Sequence, residues 1–399
     1  MLNRVILISN LEDAKRELTS IGVEPIAVEI MAPKAVFRAV KVKDIKAVAA
    51  NIIKQEMLAI GGEAAAAYGA LNQSIEKTDV LILGTLKHFR LFTAKLKQHQ
   101  FGLPQIAGEI ETILQYYDYV PRPMTIGQQL FDFAKRTYIM GILNVTPDSF
   151  SDGGKYSDLN SAINHAEQMA AEGADIIDIG GESTRPGSER ISAEEEIDRV
   201  VPVIEKLIHK ISIPLSIDTT KAEVAAAALS AGAAMVNDIS GLRFDPKMPE
   251  LVAQAKVPIC LMHIQGTPQN MQVNPSYSDL MGEIIGYLQE GLAIAKRAGI
   301  LHEQIIIDPG IGFGKTVEQN LEIVKKLCEL KVLGCPILVG PSRKSVIGKV
   351  LDLPVEDRLE GTLAMVALSA ANGANIVRVH DVKAAKRTVK MVEAIVRRK

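Results

Sequence analysis

The sequence predicts an α/β protein: a (β/α)8 TIM barrel preceded by a smaller α/β or α+β domain. Three observations carry that expectation. The first is length, because 399 residues exceed one small domain. They fit one barrel, which runs to about 250 residues as a single unit, plus a smaller neighbour. The second is a regular alternation, from Thr137 onward, of short apolar runs with amphipathic stretches. The third is that distinctive polar residues follow directly after those apolar runs. An apolar fraction of 47% allows a large buried core and excludes disorder for the bulk of the chain.

Residues 1–132 are assigned to the N-terminal domain and its linker. Arg4–Ser9 and Ala35–Val42 read as strands from their Val and Ile content. Lys43–Ile60 reads as a helix, with Ile45, Val48, Ile52, Ile53 and Met57 on one side and Gly61-Gly62 as its stop. Ala59–Gly69, rich in small residues, suits close backbone packing or a loop near a ligand. Val80–Leu83 reads as a short buried strand, and Phe89–Gln98 and Gly108–Gln115 as helices. Tyr116–Met124 holds two prolines and reads as a boundary. The domain is expected to serve packing or oligomerisation.

Residues 133–399 are assigned to the barrel. Its expected strands are Tyr138–Val145, Ala174–Gly180, Pro214–Asp218, Met235–Ile239, Val257–Met262, Ile305–Asp308, Pro336–Val339 and Ile376–Val379. Expected helices between them include Leu159–Glu172, Ala193–Ile208, Lys221–Ala231, Ser278–Ala298, Val317–Leu330 and Arg358–Asn372. Short apolar strands separated by helices imply parallel pairing buried on both faces. The alternative is an open doubly wound sheet. It would usually carry G-x-G-x-x-G after its first strand, and here that strand runs into Asn144-Val145-Thr146-Pro147-Asp148.

Charge and cysteine usage narrow the function classes. Lys and Arg total 45, Asp and Glu 47, for a net charge of −2. Such balance gives no global reason to hold nucleic acid or an anionic membrane. Cys260, Cys328 and Cys335 form no C-x-x-C pair, which suggests a reducing compartment without disulfide or zinc framework. No run of 18 apolar residues occurs, and MLNRVILISNLEDAKREL lacks a signal-peptide layout. A soluble cytoplasmic protein is expected.

The strand ends carry the chemistry. Strand one ends in Asn144 and runs into Thr146–Gly154; strand two leads into Gly181–Gly187 (GESTRPG). Asp218, Asn237-Asp238, His263 and Asp308 end the next four. Gly340–Ser345 follows the seventh, and Arg378 and His380 close the eighth. In a barrel all of these ring the carboxyl-terminal mouth. Asp218, Asn237 and Asp308 suit a planar heterocycle whose amidine-like edge offers paired N–H donors. Arg185, Lys344 and Arg378 suit a phosphate or diphosphate. Asn144 offers a neutral oxygen to Mg²⁺, a hard cation that prefers oxygen and substrate phosphates.

Each residue also has a plainer reading. Asp218 and Asp308 could be helix N-caps. Arg185, Lys344 and Arg378 could singly be solvated charges, Asn144 a turn residue, and His263 or His380 packed histidines. Gly310–Gly314 (GIGFG) lacks the Walker spacing, and Lys315-Thr316 could simply start a helix. Ser345 could cap a helix or help its N-terminus hold a carboxylate, Arg343 could pair with a loop acid, and Phe150 could be a lid or a local staple.

Taken together, Leu143–Tyr156 (LNVTPDSFSDGGKY), Asp178–Gly187 (DIGGESTRPG), Ile217–Thr219, Val236–Gly241, Met262–Gln265, Ile307–Lys315 (IDPGIGFGK), Val339–Gly348 (VGPSRKSVIG) and Arg378–Asp381 resemble dihydropteroate synthase, a family of folate biosynthesis. They occur in the family's order, over residues 137–399. The N-terminal part lies outside the family's common core, although longer members with this layout exist. The resemblance implies a transferase that condenses 6-hydroxymethyl-7,8-dihydropterin diphosphate with 4-aminobenzoate, giving dihydropteroate and diphosphate. It implies that Asp218, Asn237, Asp308 and Lys344 hold the pterin, with Met262 and Phe313 along its faces. Asn144, Thr184, Arg185, Arg378 and His380 would hold the diphosphate, with Mg²⁺ at Asn144. Phe150, Thr184, Pro186, Lys344 and Ser345 would frame aminobenzoate, and a homodimer is the family expectation.

Diphosphate leaves readily once cations neutralise it, and the electron-rich ring can delocalise positive charge, so a dissociative, SN1-like path is expected. Asp148 is the candidate for stabilising that cation, with Lys344 and Arg185 as further catalytic residues. The aryl amine is already a free base at neutral pH, so no strong general base is required. Two other functions stay open: a pterin-dependent methyltransferase working with a corrinoid partner, and a non-catalytic pterin-binding scaffold.

Overall fold

A computed structural model of the chain describes residues 3–146, 155–183 and 190–396. The chain divides into two compact units, Met1–Asp118 and Tyr119–Lys399.

The first unit holds α1 (Leu11–Ser20), α2 (Pro25–Ala35), β1 (Phe37–Lys46), α3 (Ala47–Ala59), β2 (Glu63–Ala66), α4 (Tyr68–Leu71), β3 (Lys77–Thr85), α5 (Leu86–Leu96) and α6 (Leu103–Asp118). Its sheet is antiparallel with order β1-β3-β2. Alternate residues of β3 are buried, as a sheet with one covered face requires. Val80 and Ile82 pack with Ile53 and Met57 of α3, Phe89 and Phe92 of α5, and Leu103 and Ile110 of α6.

Several expectations need correction here. Arg4–Ser9 is not a strand: Val5 and Leu7 are exposed and no ladder receives them, and Val/Ile content alone does not make a strand. Lys43–Lys46 belongs to β1, whose register shifts between Val42 and Ile45, where Asp44 has φ +55. That bulge put Ile45 in phase with the helical stripe that follows it. Helices α1 and α2 were not anticipated, although Asn10 caps α1 by accepting from the Asp13 N–H at 2.9 Å.

The second unit opens with a hairpin of β4 (Met124–Ile126) and β5 (Gln129–Phe131). Then come β6 (Tyr138–Asn144), α7 (Lys155–Glu172), β7 (Ile176–Gly180), α8 (Ala193–Leu207), β8 (Leu215–Asp218), α9 (Ala222–Ser230), β9 (Met235–Asp238) and α10 (Met248–Ala255). The series continues with β10 (Ile259–Met262), α11 (Leu280–Ala298), β11 (Ile305–Asp308), α12 (Val317–Lys325), β12 (Leu338–Val339), α13 (Ser345–Leu351), α14 (Leu359–Ala371), β13 (Ile376–Val379) and α15 (Val382–Val396). The eight strands β6–β13 form a parallel sheet of order β11-β10-β9-β8-β7-β6-β13-β12. A bridge between Ile307 and Ile337 joins its two ends, so the sheet closes into a (β/α)8 barrel.

The period-two alternation of the strands explains where the site lies. One set of side chains, including Ile139, Leu143, Ile177, Ile217, Val236, Leu261, Ile307 and Val339, packs outward in the large core shared with the helices. The other set lines the interior. Its lower layer is apolar: Met140, Ile176, Met235, Cys260, Ile306, Leu338 and Ile376. Two residues further along the same strands stand Ile142, Asp178, Asn237, Met262, Asp308, Gly340 and Arg378. The interior therefore turns polar one layer above its floor.

Met124, Ile126, Phe131 and Phe133 pack against that lower layer, so the hairpin closes the amino-terminal end of the barrel. The sequence reading placed these residues, up to 132, with the N-terminal domain and linker; in the structure they belong to the barrel unit. Among the described residues no helix is long and apolar enough to cross a membrane.

Candidate active site

A cavity of about 860 Å³ opens at the carboxyl ends of the barrel strands. Asn144, Asp218, Phe313, Lys344, Ser345, Arg378 and His380 line it, with Glu182, Ser183, Gly312 and Ser342 among their neighbours. Seven predicted site residues from five strand ends thus share one wall. Asn237, Met262 and Asp308 are buried at the same level without reaching that lining. Asp148, Phe150, Thr184, Arg185 and Pro186 lie outside the described residues.

The centre of the site is an ion-pair chain. Arg378 donates from Nε to Asp178 Oδ2 at 2.6 Å and from Nη2 to Asp218 Oδ2 at 2.6 Å. Asn237 Nδ2 donates to the same Asp178 oxygen at 2.8 Å. Asp178 is the functional residue that sequence reasoning missed. It has no solvent exposure, and its Oδ1 makes no hydrogen bond among the described residues. The available signal was its phase: Ile176, Asp178 and Gly180 alternate on one side of the strand, and an acid amid apolar neighbours in a buried strand requires a cationic partner.

Burial pushes the Asp218 carboxyl upward, against the pull of Arg378. The same pair holds the Arg378 guanidinium firmly charged. The N-cap reading of Asp218 does not hold. Helix α9 starts with no side-chain cap, and its first N–H donates to Asp245 instead. Asp308 does accept from a loop N–H, that of Gly310, at 2.6 Å. Burial raises the Asp308 carboxyl to about 6.

The GIGFG segment is a structural loop. Gly310 has φ +70, and a Cβ there would lie 1.9 Å from the His263 carbonyl oxygen, so only glycine fits. Lys315 fastens the loop from beneath. Its three N–H bonds reach His263 Nδ1, Gly310 O and Phe313 O, each at 2.9 Å. Burial lowers the Lys315 ammonium to about 7 and His263 to about 2, so that histidine is neutral. His263 is a packed residue, against Tyr277 and Tyr287, and does not line the cavity. Thr316 caps α12.

Lys344 is half-buried, its Nζ 4.2 Å from the centroid of the Phe313 ring. Burial and the nearby Arg378 lower it to about 8. The turn that carries it is rigidly held: Arg343, at φ +55, pairs with Asp381 at 2.7 Å and 3.1 Å, which is the loop-acid role considered for it. Ser345 is the exposed first residue of α13. His380 N–H donates to Ser342 Oγ at 3.2 Å, and that hydroxyl lies 2.9 Å from His380 Nδ1. In the tautomer in which that hydroxyl donates to Nδ1, the imidazole proton sits on Nε2 and is left for another acceptor. Burial lowers His380 to about 3, so it acts as a neutral donor.

Asn144 ends β6, is half-buried on the cavity wall, and its side chain makes no hydrogen bond among the described residues. No cluster of three His, Cys, Asp or Glu suited to a metal occurs among the described residues. This donor set fits Mg²⁺ carried in on a phosphate and met by one amide oxygen; it does not fit an all-protein cage.

Residues 140–380 match the model of the pterin binding enzyme family. A dihydropteroate synthase of Synechocystis is 55% identical over 70% of this chain and 98% of its own length. A probable bifunctional folylpolyglutamate synthase/dihydropteroate synthase of Halobacterium salinarum is 41% identical over 97% of this chain and 46% of its own, so its similarity extends through the N-terminal unit. The solved structure of Xanthomonas albilineans dihydropteroate synthase with 4-aminobenzoic acid is 42% identical, with TM-score 0.65, over 69% of this chain and 98% of that one.

Proposed function

We infer the function from the premise that this chain belongs to the pterin-binding enzymes, within the dihydropteroate synthase family. It is a transferase that joins 6-hydroxymethyl-7,8-dihydropterin diphosphate to 4-aminobenzoate, releasing diphosphate. The observation that carries this is the single cavity wall on which Asn144, Asp218, Phe313, Lys344, Arg378 and His380 converge. A planar donor edge and a dianionic tail would each meet complementary groups there.

In this reading Asp218 and Asp308 accept from the ring's N–H groups, and Asn237, oriented by Asp178, completes the edge. Phe313 and Met262, from one apolar cluster, border the ring faces. Lys344 lies between the ring and the amine subsite, which Ser345 edges. Arg378 and the Nε2 proton of His380 draw charge from the departing diphosphate. Mg²⁺, when bound at Asn144, supplies neutralisation of that same charge. The bond from carbon to the diphosphate oxygen breaks first, the ring delocalises the positive charge, and the neutral aryl amine attacks and then gives up one N–H proton to the released diphosphate or to water. Asp148 and Arg185 are proposed to assist from the two loops outside the described residues, and Thr184, Phe150 and Pro186 to frame substrate there. We also read the protein as a cytoplasmic homodimer, from the family pattern.

The test is turnover: diphosphate release with both substrates and Mg²⁺ present, and none when aminobenzoate is omitted. Tight pterin binding without release would instead support the scaffold reading. Methyl transfer to a corrinoid protein would support the methyltransferase.

A further inference from the structure

We propose that Arg378 couples the heterocycle subsite to the diphosphate subsite by exchanging partners, with Asp178 as the fixed end of the exchange; this rests on the cavity reading above. The guanidinium spans two carboxylates at equal distance, 2.6 Å from Nε to Asp178 and 2.6 Å from Nη2 to Asp218. The two ends differ in what surrounds them. Asp178 has no exposure, and its Oδ2 is also held by Asn237 Nδ2 at 2.8 Å. Asp218 lines the cavity, with a side chain 12% exposed. Asp218 is therefore the releasable end.

That releasable carboxylate is the one the ring's N–H donors need. While Nη2 sits on it, its charge is already answered, and an incoming donor competes for the same oxygen. Among the described residues the displaced arm is also a cation free for a phosphate oxygen at this rim, since Arg343 is held by Asp381 and Arg358 by backbone carbonyls. The Lys344 Nζ lies over Phe313, and His380 offers one neutral N–H. One guanidinium arm cannot serve Asp218 and a phosphate oxygen together. An anion that draws Nη2 away uncovers Asp218; a ring that takes Asp218 frees Nη2 for the anion. Asp178 keeps Nε in place throughout, so only one arm moves. Asp178 is thus a positioning residue, since it touches Arg378 and Asn237 and not the ligand. Linkage then requires each ligand to tighten the other by the same factor, typically about 5- to 150-fold.

The experiment is calorimetric titration of the full chain with 6-hydroxymethyl-7,8-dihydropterin, which lacks the diphosphate. It is run with and without saturating inorganic diphosphate at fixed Mg²⁺, and then in the reverse order. The expected result is a mutual tightening of roughly fivefold or more, equal in both directions. Arg378→Lys retains a cation for the two buried acids but cannot span both, so the factor should fall below about two. Independent or antagonistic binding in the unaltered protein overturns the exchange, as does full coupling in Arg378→Lys. If neither probe binds the unaltered protein, the cavity reading itself fails and takes the exchange with it.

Discussion

Lys344 Nζ stands 4.2 Å from the centroid of the Phe313 ring, although the two residues come from the loops after different strands. The pair sets one wall of the cavity and places a cation of lowered pKa, about 8, within the field of Asp308 and Asp218.

A pH dependence follows from the sign of each shift. Asp218, raised to about 7, and Asp308, raised to about 6, both by burial, must be ionised to accept from the ring, so kcat/KM should fall as pH drops through those values. Lys344, lowered to about 8, must be protonated to act as a cation, so kcat/KM should fall again as pH rises past it. The expected profile for the pterin substrate is a bell, measurable from about pH 5 to about pH 9.5. Lys344→Gln should remove the alkaline limb. A flat profile would contradict both assignments.

Asp308→Asn keeps the shape and replaces a charged acceptor by an amide. Two charge-assisted hydrogen bonds to the ring weaken, at about 1.5 kcal/mol each or more, so pterin affinity should drop roughly 100-fold. Calorimetry reports it directly, and wild-type affinity would remove Asp308 from the site.

Asp178→Asn should act through its partners. The amides at 178 and 237 can then satisfy each other in either orientation, so Asn237 no longer presents one defined edge to the cavity. Pterin affinity should fall about tenfold, near 1.4 kcal/mol. Removal of a group that touches no ligand would leave the affinity unchanged if Asp178 served folding alone.

Gly310→Ala forces a side chain into a left-handed backbone and against the His263 carbonyl oxygen. A destabilisation of roughly 3 kcal/mol is expected, with loss of the Asp308 and Phe313 positions. Thermal unfolding and pterin binding should fail together. A variant of normal melting temperature would show that the loop shifts at little cost.

The hairpin predicts where the barrel can be cut. A chain of residues 119–399 retains it, whereas residues 133–399 lose Met124, Ile126 and Phe131 from the floor. Burial of three such side chains contributes roughly 5 kcal/mol or more. The longer piece should keep full turnover and the shorter one should melt well below it by circular dichroism. Equal melting would mean that the floor holds without the hairpin.

The barrel was legible because a buried parallel strand writes its ends plainly: apolar, then suddenly an acid, amide or cation. All eight strands were placed in this way, from Tyr138 in β6 to Val379 in β13. Asp178 escaped because it stands inside its strand, not at the end, and only the inward phase of Ile176 and Gly180 marks it. The Asp308 contact with Gly310 is likewise a matter of loop geometry, which spacing does not encode. In the first unit, Arg4–Ser9 misled because strand formation depends on a partner edge. Pro33 lies inside α2, whose apolar residues are spread around the helix, so it shows no stripe; α1 does carry one, Leu11, Ala14 and Leu18, but over only ten residues.

The barrel wall is laced unevenly. Between β11 and β12 a lone rung, Ile307 to Ile337, fastens the cylinder, while paired ladders run between the other neighbours. Asp308 and Phe313 rise from one lip of this seam, and Lys344 from the other. A small parting there would widen the slot for a flat ring without tearing any ladder, so amide exchange at Ile307, whose N–H donates to the Pro336 carbonyl across the seam, should be the first in the wall to report it.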